Sequence, residues 1–415
     1  MLLVERGETM STLAPALRLE ALRDARERTL ALVSDLSDAQ LAVPKLECIN
    51  PILWEIGHIA YFAEFWTLRR LFGEPPIIAN ADRLYDSAKI AHDARWTLAL
   101  PSRAQTLAFM REQLERTCER GEDGPDRSEA PYFYTLALFH EDMHGEALVY
   151  ARQLLGYAAP PIAGAAPRDR NVARGELGDV TVPAGTYRIG SARDDGFIFD
   201  NEKYAHDIRL DAFAIARAPV TNAQFEAFVR DGGYRTRAFW SAEGWTWREG
   251  AGADAPSYWQ GAMRRHFDRL VPRGEFEPVS HVNFFEAQAY CAWAGRRLPT
   301  EEEWEAAATG AGTRGNLDGT YGDVCDVRLF EDAQSVYGCV QTIGNVWEWT
   351  QSVFLPYPGF SPDPYKEYSQ PWFGTHYVLR GGAWPTRSRL ISTRRRNFYR
   401  PHRRDVIAGF RTVKA

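Results

Sequence analysis

Three histidines in this chain have the side-chain type and spacing expected of a metal centre. His140 and His144 lie four residues apart in HEDMHGE, and His58 lies upstream in PILWEIGHIAYF. On a helix, residues four apart project from the same face, so His140 and His144 can reach one common point. Imidazole is the commonest nitrogen ligand of first-row metals, and His58 is the expected third ligand from another helix.

The ligand set predicts a metal centre without fixing the metal. Three neutral nitrogen ligands suit several first-row metals. The same three ligands also suit zinc, which takes a water as its fourth ligand. A pair of hydrogen-bonded helix histidines with no metal is the plainer alternative.

The elements that must hold these histidines are predicted to be helices, because apolar side chains recur at three- and four-residue spacing in the N-terminal part of the chain. Four segments show this pattern: LAPALRLEALRDARERTLALVSDL, residues 51–72, SRAQTLAFMREQLERTCERG ending at Gly121, and PYFYTLALFHEDMHGEALVYARQLLGY. Four such helices, with ligands on two of them, predict an antiparallel four-helix bundle over residues 11–156 with the metal between its helices.

A second domain is predicted after a linker. Residues 157–178 are rich in Ala, Pro, Gly and charged residues, which is typical of a linker. Ten of the thirteen tryptophans lie beyond residue 239, where short β-type runs alternate with turns and a few helices. Thr300 followed by Glu303 predicts a capping box at one helix start. The predicted fold class is therefore α+β multidomain, with residues 179–415 forming the second domain.

Charge and hydropathy narrow the functional class. The 49 Lys and Arg against 55 Asp and Glu give a formal net charge of −6, which argues against a nucleic-acid partner. No apolar run approaches the roughly 18–20 residues that cross a bilayer, and the acidic start MLLVERGETMSTL predicts no signal peptide. The five cysteines form no CxxC pair, so a reducing cytoplasm is the expected location.

Several phrases occur in a fixed order in the second domain: VTVPAGTYRIGS, PVSHVNFFEAQAYCAWAGRRLPTEEEWEAAA, GNVWEWT, and VLRGGAW with a terminal AGFR. Together they resemble the formylglycine-generating-enzyme/sulfatase-modifying-factor domain, which implies a C-type-lectin-like fold. In the first domain, PxxWxxxH at residues 51–58 and HxxxHxE at residues 140–146 resemble the DinB-type four-helix bundle. The pairing of the two domains is similar to the ergothioneine-type synthases, and its details resemble their selenoneine synthase branch.

The resemblance implies an enzyme of oxidative coupling. It implies that His58, His140 and His144 hold Fe(II), that O2 is a co-substrate, and that a chalcogen nucleophile is joined to the imidazole C2 of hercynine. Hercynine carries a quaternary ammonium, which favours an aromatic face, and a carboxylate, which an amide can hold. The residues implied for hercynine binding are Met143, Tyr357, Asn397 and Phe398.

The chain departs from the thiol-using members around the implied second substrate. Phe354 stands where they carry a tyrosine, and because phenylalanine has no O–H to donate, the catalytic proton donor stays unassigned. Tyr399 stands where they carry an acid that helps hold γ-glutamylcysteine, and Met143 replaces a glutamine. The second-substrate pocket is accordingly assigned to Arg95, Phe354, Tyr399 and Arg403.

These departures favour an uncharged second substrate. The predicted function is the coupling of hercynine to a selenosugar, which gives selenoneine after loss of the sugar. The nearest alternative is a sulfoxide synthase of ergothioneine biosynthesis, and a different class is a non-catalytic or zinc-bound DinB-type protein. No cysteine lies between Gly381 and Phe410, where formylglycine-generating enzymes use a close pair, so sulfatase-modifying activity is excluded.

Overall fold

A computed structural model describes residues 15–123, 128–162, 176–193 and 195–415. The chain separates into two compact units, one of Met1–Arg152 with Pro160–Ile162 and the other of Gln153–Ala159 with Ala163–Ala415. We call the first the helical unit and the second the mixed unit. Most of the predicted linker, and the first four residues of the predicted first domain, lie outside the described residues.

The helical unit consists of helices that match the periodic segments of the sequence. The helices are α1 (Pro15–Val33), α2 (Asp38–Ala42), α3 (Ile52–Ala63), α4 (Arg70–Phe72), α5 (Ala81–Tyr85), α6 (Arg103–Asp123) and α7 (Ala130–Leu155). A π-helical stretch, Glu64–Arg69, joins α3 to α4 in one continuous rod. All four long helices expected from the sequence are therefore present.

One local prediction in this unit is wrong. Gly121 lies inside α6 and does not end it. A Cβ at Gly121 would meet Leu19 Cδ2 at 2.8 Å, so glycine there permits a close approach to α1. Helix α2 begins with a capping box formed by the Ser37 hydroxyl and Gln40.

A buried ion pair ties three of the long helices together. Arg26 on α1 donates from Nε to Glu141 Oε1 on α7 at 2.8 Å, and both side chains are 3% exposed. Arg26 also donates to the Met110 carbonyl and to Gln113 on α6. Because removing one partner would leave a buried charge without compensation, we expect such a change to cost about 3–5 kcal/mol.

The mixed unit combines short strands with short helices. The strands are β1 (Asp179–Val182), β2 (Gly185–Ile189), β3 (His206–Leu210), β4 (Phe213–Ala216), β5 (Trp259–Gln260), β6 (Met263–His266), β7 (Arg269–Pro272), β8 (Arg296–Arg297), β9 (Trp347–Val353), β10 (Tyr377–Arg380), β11 (Asn397–Tyr399), β12 (Ala408–Gly409) and β13 (Val413–Lys414). The helices are α8 (Asn222–Arg230), α9 (Ala242–Ala251), α10 (Phe284–Trp293) and α11 (Glu301–Ala307). Within the described residues these strands form four sheets, in the orders β1-β4-β13-β8, β11-β10-β9-β12, β2-β3 and β5-β6-β7.

Helix starts in the mixed unit follow local sequence signals. The predicted capping box of Thr300 and Glu303 is present at α11, and Asn283 forms another at α10. Helix α9 was not expected, because its aromatic residues Trp245 and Trp247 are two apart and do not form a helical stripe. Ser241 caps it by accepting from a backbone N–H.

Buried ion pairs also run through the mixed unit. The arginine-rich segment 387–404 supplies several of them, including Arg396 to Glu301 and Arg395 to Glu202, each at 2.8 Å. The arginines of this segment are thus partly used in internal salt bridges. Trp347 and Trp349 of GNVWEWT are buried on β9, as expected for core residues. In the described part of the chain, no helix is long and apolar enough to span a membrane.

Candidate metal centre

His58 on α3 and His140 and His144 on α7 meet inside the helical unit. Their ligand atoms all lie within 4.8 Å of one another. The ring centroids are 5.0 Å apart for His58 and His140, 5.1 Å for His58 and His144, and 4.5 Å for His140 and His144. The i,i+4 spacing and the third ligand from another helix therefore produce one cluster, as the sequence predicts.

The ring of His58 is held on two sides. Its Nδ1 donates to the Tyr85 carbonyl at 2.8 Å, and its face stacks on the indole of Trp54 at 4.8 Å with an interplanar angle of 8°. With Nδ1 protonated by this bond, Nε2 is the nitrogen available to a metal.

His144 is oriented by a carboxylate. Its Nδ1 lies 2.8 Å from Glu55 Oε1, and Glu55 is buried on α3, three residues before His58. A carboxylate on the second nitrogen of a ligating histidine fixes its tautomer and raises its basicity. The α3 helix therefore supplies one ligand and orients another.

His140 and His58 are held in their neutral, metal-binding form. Burial is the main cause that lowers the pKa of each well below its usual range, and the neighbouring His144 lowers both further. The ring of Phe62 stacks on His140 at 3.6 Å, which contributes to its burial. Neutral imidazoles fit a first-row metal, and three nitrogen ligands suit either iron or zinc.

Two other predicted site residues lie in the helical unit. Met143 is half-buried on α7, beside His144 in sequence. Arg95, assigned from the sequence to the second-substrate pocket, donates from Nη1 to Asn50 Oδ1 at 2.6 Å. Its guanidinium also lies over the Trp54 ring, 4.1 Å from the centroid.

The remaining predicted site residues lie in the mixed unit. Phe354 and Phe398 stack on each other, and Arg396 links Phe354 to Tyr357; we call these three rings the aromatic group. The ring of Phe354 is fully buried and stacks on Phe398 at 4.0 Å. Arg396 lies 4.9 Å from the Phe354 centroid and 4.0 Å from that of Tyr357. The Tyr357 hydroxyl donates to Glu301 at 3.1 Å, and burial, with the Glu301 charge, raises the pKa of Tyr357 well above its usual range.

Asn397 and Tyr399 lie on one strand, and Arg403 follows that strand in sequence. Asn397 and Tyr399 are half-buried on β11, which pairs with β10. Arg403 forms an ion pair with Asp405 at 2.6 Å and lies 5.2 Å from the Tyr399 ring centroid. The guanidinium of Arg403 is therefore already paired with a carboxylate of its own segment.

Sequence reasoning missed the residues that surround the histidines. Trp54 and Glu55 stand in the same PILWEIGHIAYF motif as His58, and a carboxylate one helical turn before a ligand is a signal that could have been used. The carbonyl of Tyr85 carries no such signal, because a main-chain oxygen is present at every position.

Comparison with known proteins defines the class. Residues 21–148 match the DinB superfamily. Residues 166–323 and 317–415 match the sulfatase-modifying factor enzyme 1-like domain. The chain is thus a DinB domain followed by a sulfatase-modifying-factor-type domain, which confirms the two domain resemblances drawn from the sequence.

Full-length relatives narrow the class to a family. The chain is 37% identical to the hercynine oxygenase of Mycobacterium tuberculosis, over 94% of this chain and 96% of that protein. It is 36% identical to the hercynine oxygenase of Mycolicibacterium smegmatis, over 93% of this chain and 96% of that protein. The formylglycine-generating enzyme of Streptomyces coelicolor is 32% identical over 55% of this chain and 86% of its own length. The chain belongs to the hercynine oxygenase family.

Proposed function

We propose that this protein is an O2-dependent, non-haem iron enzyme that oxidatively joins a chalcogen nucleophile to the imidazole C2 of hercynine. The observation that carries the proposal is the cluster of His58, His140 and His144 in a chain that matches hercynine oxygenases over nearly its whole length. With sulfur as the chalcogen, the enzyme is a sulfoxide synthase of the ergothioneine type, and the relatives support this form best.

The three histidines would hold Fe(II) through Nε2 of His58 and His144 and through one nitrogen of His140. Bound iron would supply the redox chemistry that a reaction with O2 needs, together with open coordination positions. The protein contributes the fixed tautomers: the Tyr85 carbonyl holds His58 and the Glu55 carboxylate holds His144.

The proposal assigns residues 11–156 to an antiparallel four-helix bundle of the DinB type. It assigns residues 157–178 to a linker and residues 179–415 to a C-type-lectin-like domain. The proposal assigns the enzyme to the cytoplasm, where thiols stay reduced, because its five cysteines form no CxxC pair.

Hercynine recognition is assigned first to Phe398 and Asn397. The half-buried ring of Phe398 can offer a face to a trimethylammonium group, and the Asn397 amide can donate to a carboxylate. Tyr357 remains a predicted hercynine contact through its ring, because its hydroxyl already donates to Glu301. Met143, beside the ligands, remains a predicted contact.

The selenosugar remains a second candidate for the nucleophile. The observation that favours it is Phe354, which is fully buried between aromatic rings and offers no hydroxyl. Tyr399 likewise offers no carboxylate for a charged peptide. A selenolate is more easily oxidised than a thiolate, so loss of a phenol would be tolerated, and the product would be selenoneine.

A competition assay tests the proposal and separates its two forms. Iron-loaded protein is given hercynine and air with equimolar γ-glutamylcysteine, cysteine and a 1-selenosugar, and the products are identified by mass spectrometry. A sulfoxide product supports the ergothioneine-type enzyme, and a selenium-containing imidazole supports the second candidate. Tightly held zinc, no O2 uptake and no coupled product would overturn both and favour a zinc-bound DinB-type protein. His140→Ala serves as the inactive control.

A further inference from the structure

We infer that Arg95, Asn50, Glu55 and Trp54 form a positioning network that orients two of the three histidines, and that Arg95 acts on the metal centre through it. The inference rests on the metal centre of the proposed function. It changes the role of Arg95, which the sequence assigns to the second substrate. All four residues belong to the helical unit.

The first arm of the network leads to His144. Glu55 accepts from His144 Nδ1 through Oε1 at 2.8 Å, and its other oxygen accepts from Asn50 Nδ2 at 3.4 Å. The Asn50 oxygen in turn accepts from Arg95 Nη1 at 2.6 Å. A carboxylate cannot donate and a guanidinium cannot accept, so the chemistry of the two neighbours decides the orientation of the amide.

The second arm leads to His58. The Arg95 guanidinium lies 4.1 Å from the Trp54 ring centroid, and Trp54 stacks on His58 at 4.8 Å. The Trp54 indole donates to the Leu84 carbonyl at 2.7 Å, beside the Tyr85 carbonyl that holds His58. Two consecutive carbonyls thus hold the stacked indole and imidazole, and Arg95 lies over the indole ring.

The network has the charge balance that a buried carboxylate needs. Glu55 is 2% exposed, and a carboxylate that deep is costly to bury without compensation. Arg95 places a positive charge at the far end of the hydrogen-bonded chain, separated from Glu55 by one amide. An arginine is suited to this position because its planar group can stack on Trp54 and donate to Asn50 at once.

The test measures metal binding by the full chain, with Co(II) alone as the probe and no substrate. Glu55→Gln keeps the size of the side chain and removes its charge. We expect it to weaken Co(II) binding by about 10–100-fold, the range for loss of such a partner, and to alter the ligand-field spectrum. Glu20→Gln is the matched control, because Glu20 is an exposed carboxylate on α1, and it should bind Co(II) as the unchanged protein does.

A double variant separates positioning from a general effect on the fold. If Glu55 acts through His144, then Glu55→Gln should cause no further loss of Co(II) affinity in a protein that already carries His144→Ala. An equal loss in both backgrounds would overturn this arm of the inference. Circular dichroism of each metal-free variant verifies that the helices remain formed.

Arg95→Gln distinguishes a positioning role of Arg95 at the metal centre from its predicted role in the second-substrate pocket. The inference expects a Co(II) affinity reduced by up to about 10-fold and an unchanged KM for the chalcogen donor, with the exposed Arg83→Gln as control. Unchanged Co(II) affinity and spectrum with a raised KM would return Arg95 to the second-substrate pocket. The Co(II) measurements need no hercynine, so failure of the proposed reaction would leave them intact, and only the KM comparison depends on that reaction. If His144→Ala itself left Co(II) binding unchanged, the metal centre would be the part that fails.

Discussion

Two glycines adjoin ligand histidines, and replacing each with alanine should change the stability of the protein in opposite directions. Gly57 precedes His58 on α3, and Gly145 follows His144 on α7. Either change gains roughly 0.5–1 kcal/mol of helix stability, because alanine loses less conformational entropy than glycine when the helix forms. The difference between the two sites therefore comes from their surroundings.

At Gly57 a Cβ would lie 2.4 Å from Tyr85 Cε1 and 2.7 Å from its hydroxyl oxygen. Carbon atoms in contact are usually about 3.5–4.0 Å apart, so the ring must move by about 1 Å or more. Tyr85 is fully buried, and overpacking of this kind costs about 1–3 kcal/mol. Gly57→Ala should therefore destabilise the protein by a net ~1–2 kcal/mol.

At Gly145 the nearest atom to a new Cβ would be Leu32 Cδ1 at 3.7 Å, an ordinary contact. Gly145→Ala should keep the whole gain in helix stability and stabilise the protein by roughly 0.5–1 kcal/mol.

The change at Gly57 should also affect the metal centre. Because the Tyr85 carbonyl holds His58, Gly57→Ala should weaken Co(II) binding as well.

The assay is urea unfolding of the metal-free full chain, followed by circular dichroism at a helix-sensitive wavelength. A Co(II) titration of each variant follows. Equal stability of the two variants, or a Gly57→Ala protein more stable than the unchanged one, would refute the reasoning. It would mean that Tyr85 is free to move and that its ring does not fix the carbonyl beside His58.

Three further predictions concern the ligands, a buried acid and the aromatic group. His140→Ala should abolish iron binding and coupling, while the near-UV spectrum of the tryptophan-rich mixed unit stays unchanged; retained activity would remove the metal site from the proposal. Burial raises the pKa of Glu64 to about 7, so the folded state binds a proton that the unfolded state loses above about pH 4.5, and stability should fall as pH rises through 7. Glu64→Gln keeps an acceptor for the Ile77 N–H and should gain on the order of 2–3 kcal/mol over the unchanged protein between pH 5 and 8; a pH-independent difference in urea unfolding would contradict this. Phe354→Tyr adds a hydroxyl beside Phe398 and should raise the share of sulfur over selenium product in the competition assay; an unchanged product ratio would show that the phenol does not decide the chalcogen.

The local sequence determined where the long helices lie, where one helix begins and which two histidines share a helix face. The 3.6-residue period placed the long helices, and three-residue spacing placed the Thr300 capping box. The pair of His140 and His144 was also readable, because a helix brings residues four apart onto one face whatever surrounds it. Each of these features depends on residues within about one or two turns of each other.

The tertiary structure decided which distant groups complete those local features. Glu55 reaches His144 across 89 residues, and Arg26 reaches Glu141 across 115. Nothing in the spacing selects such partners, because the packing of helices chooses them after the chain has folded. Arg95 is an example. The sequence alone predicts a substrate residue there, and only the folded structure shows that Arg95 contacts Asn50 and Trp54, the neighbours of the histidine network.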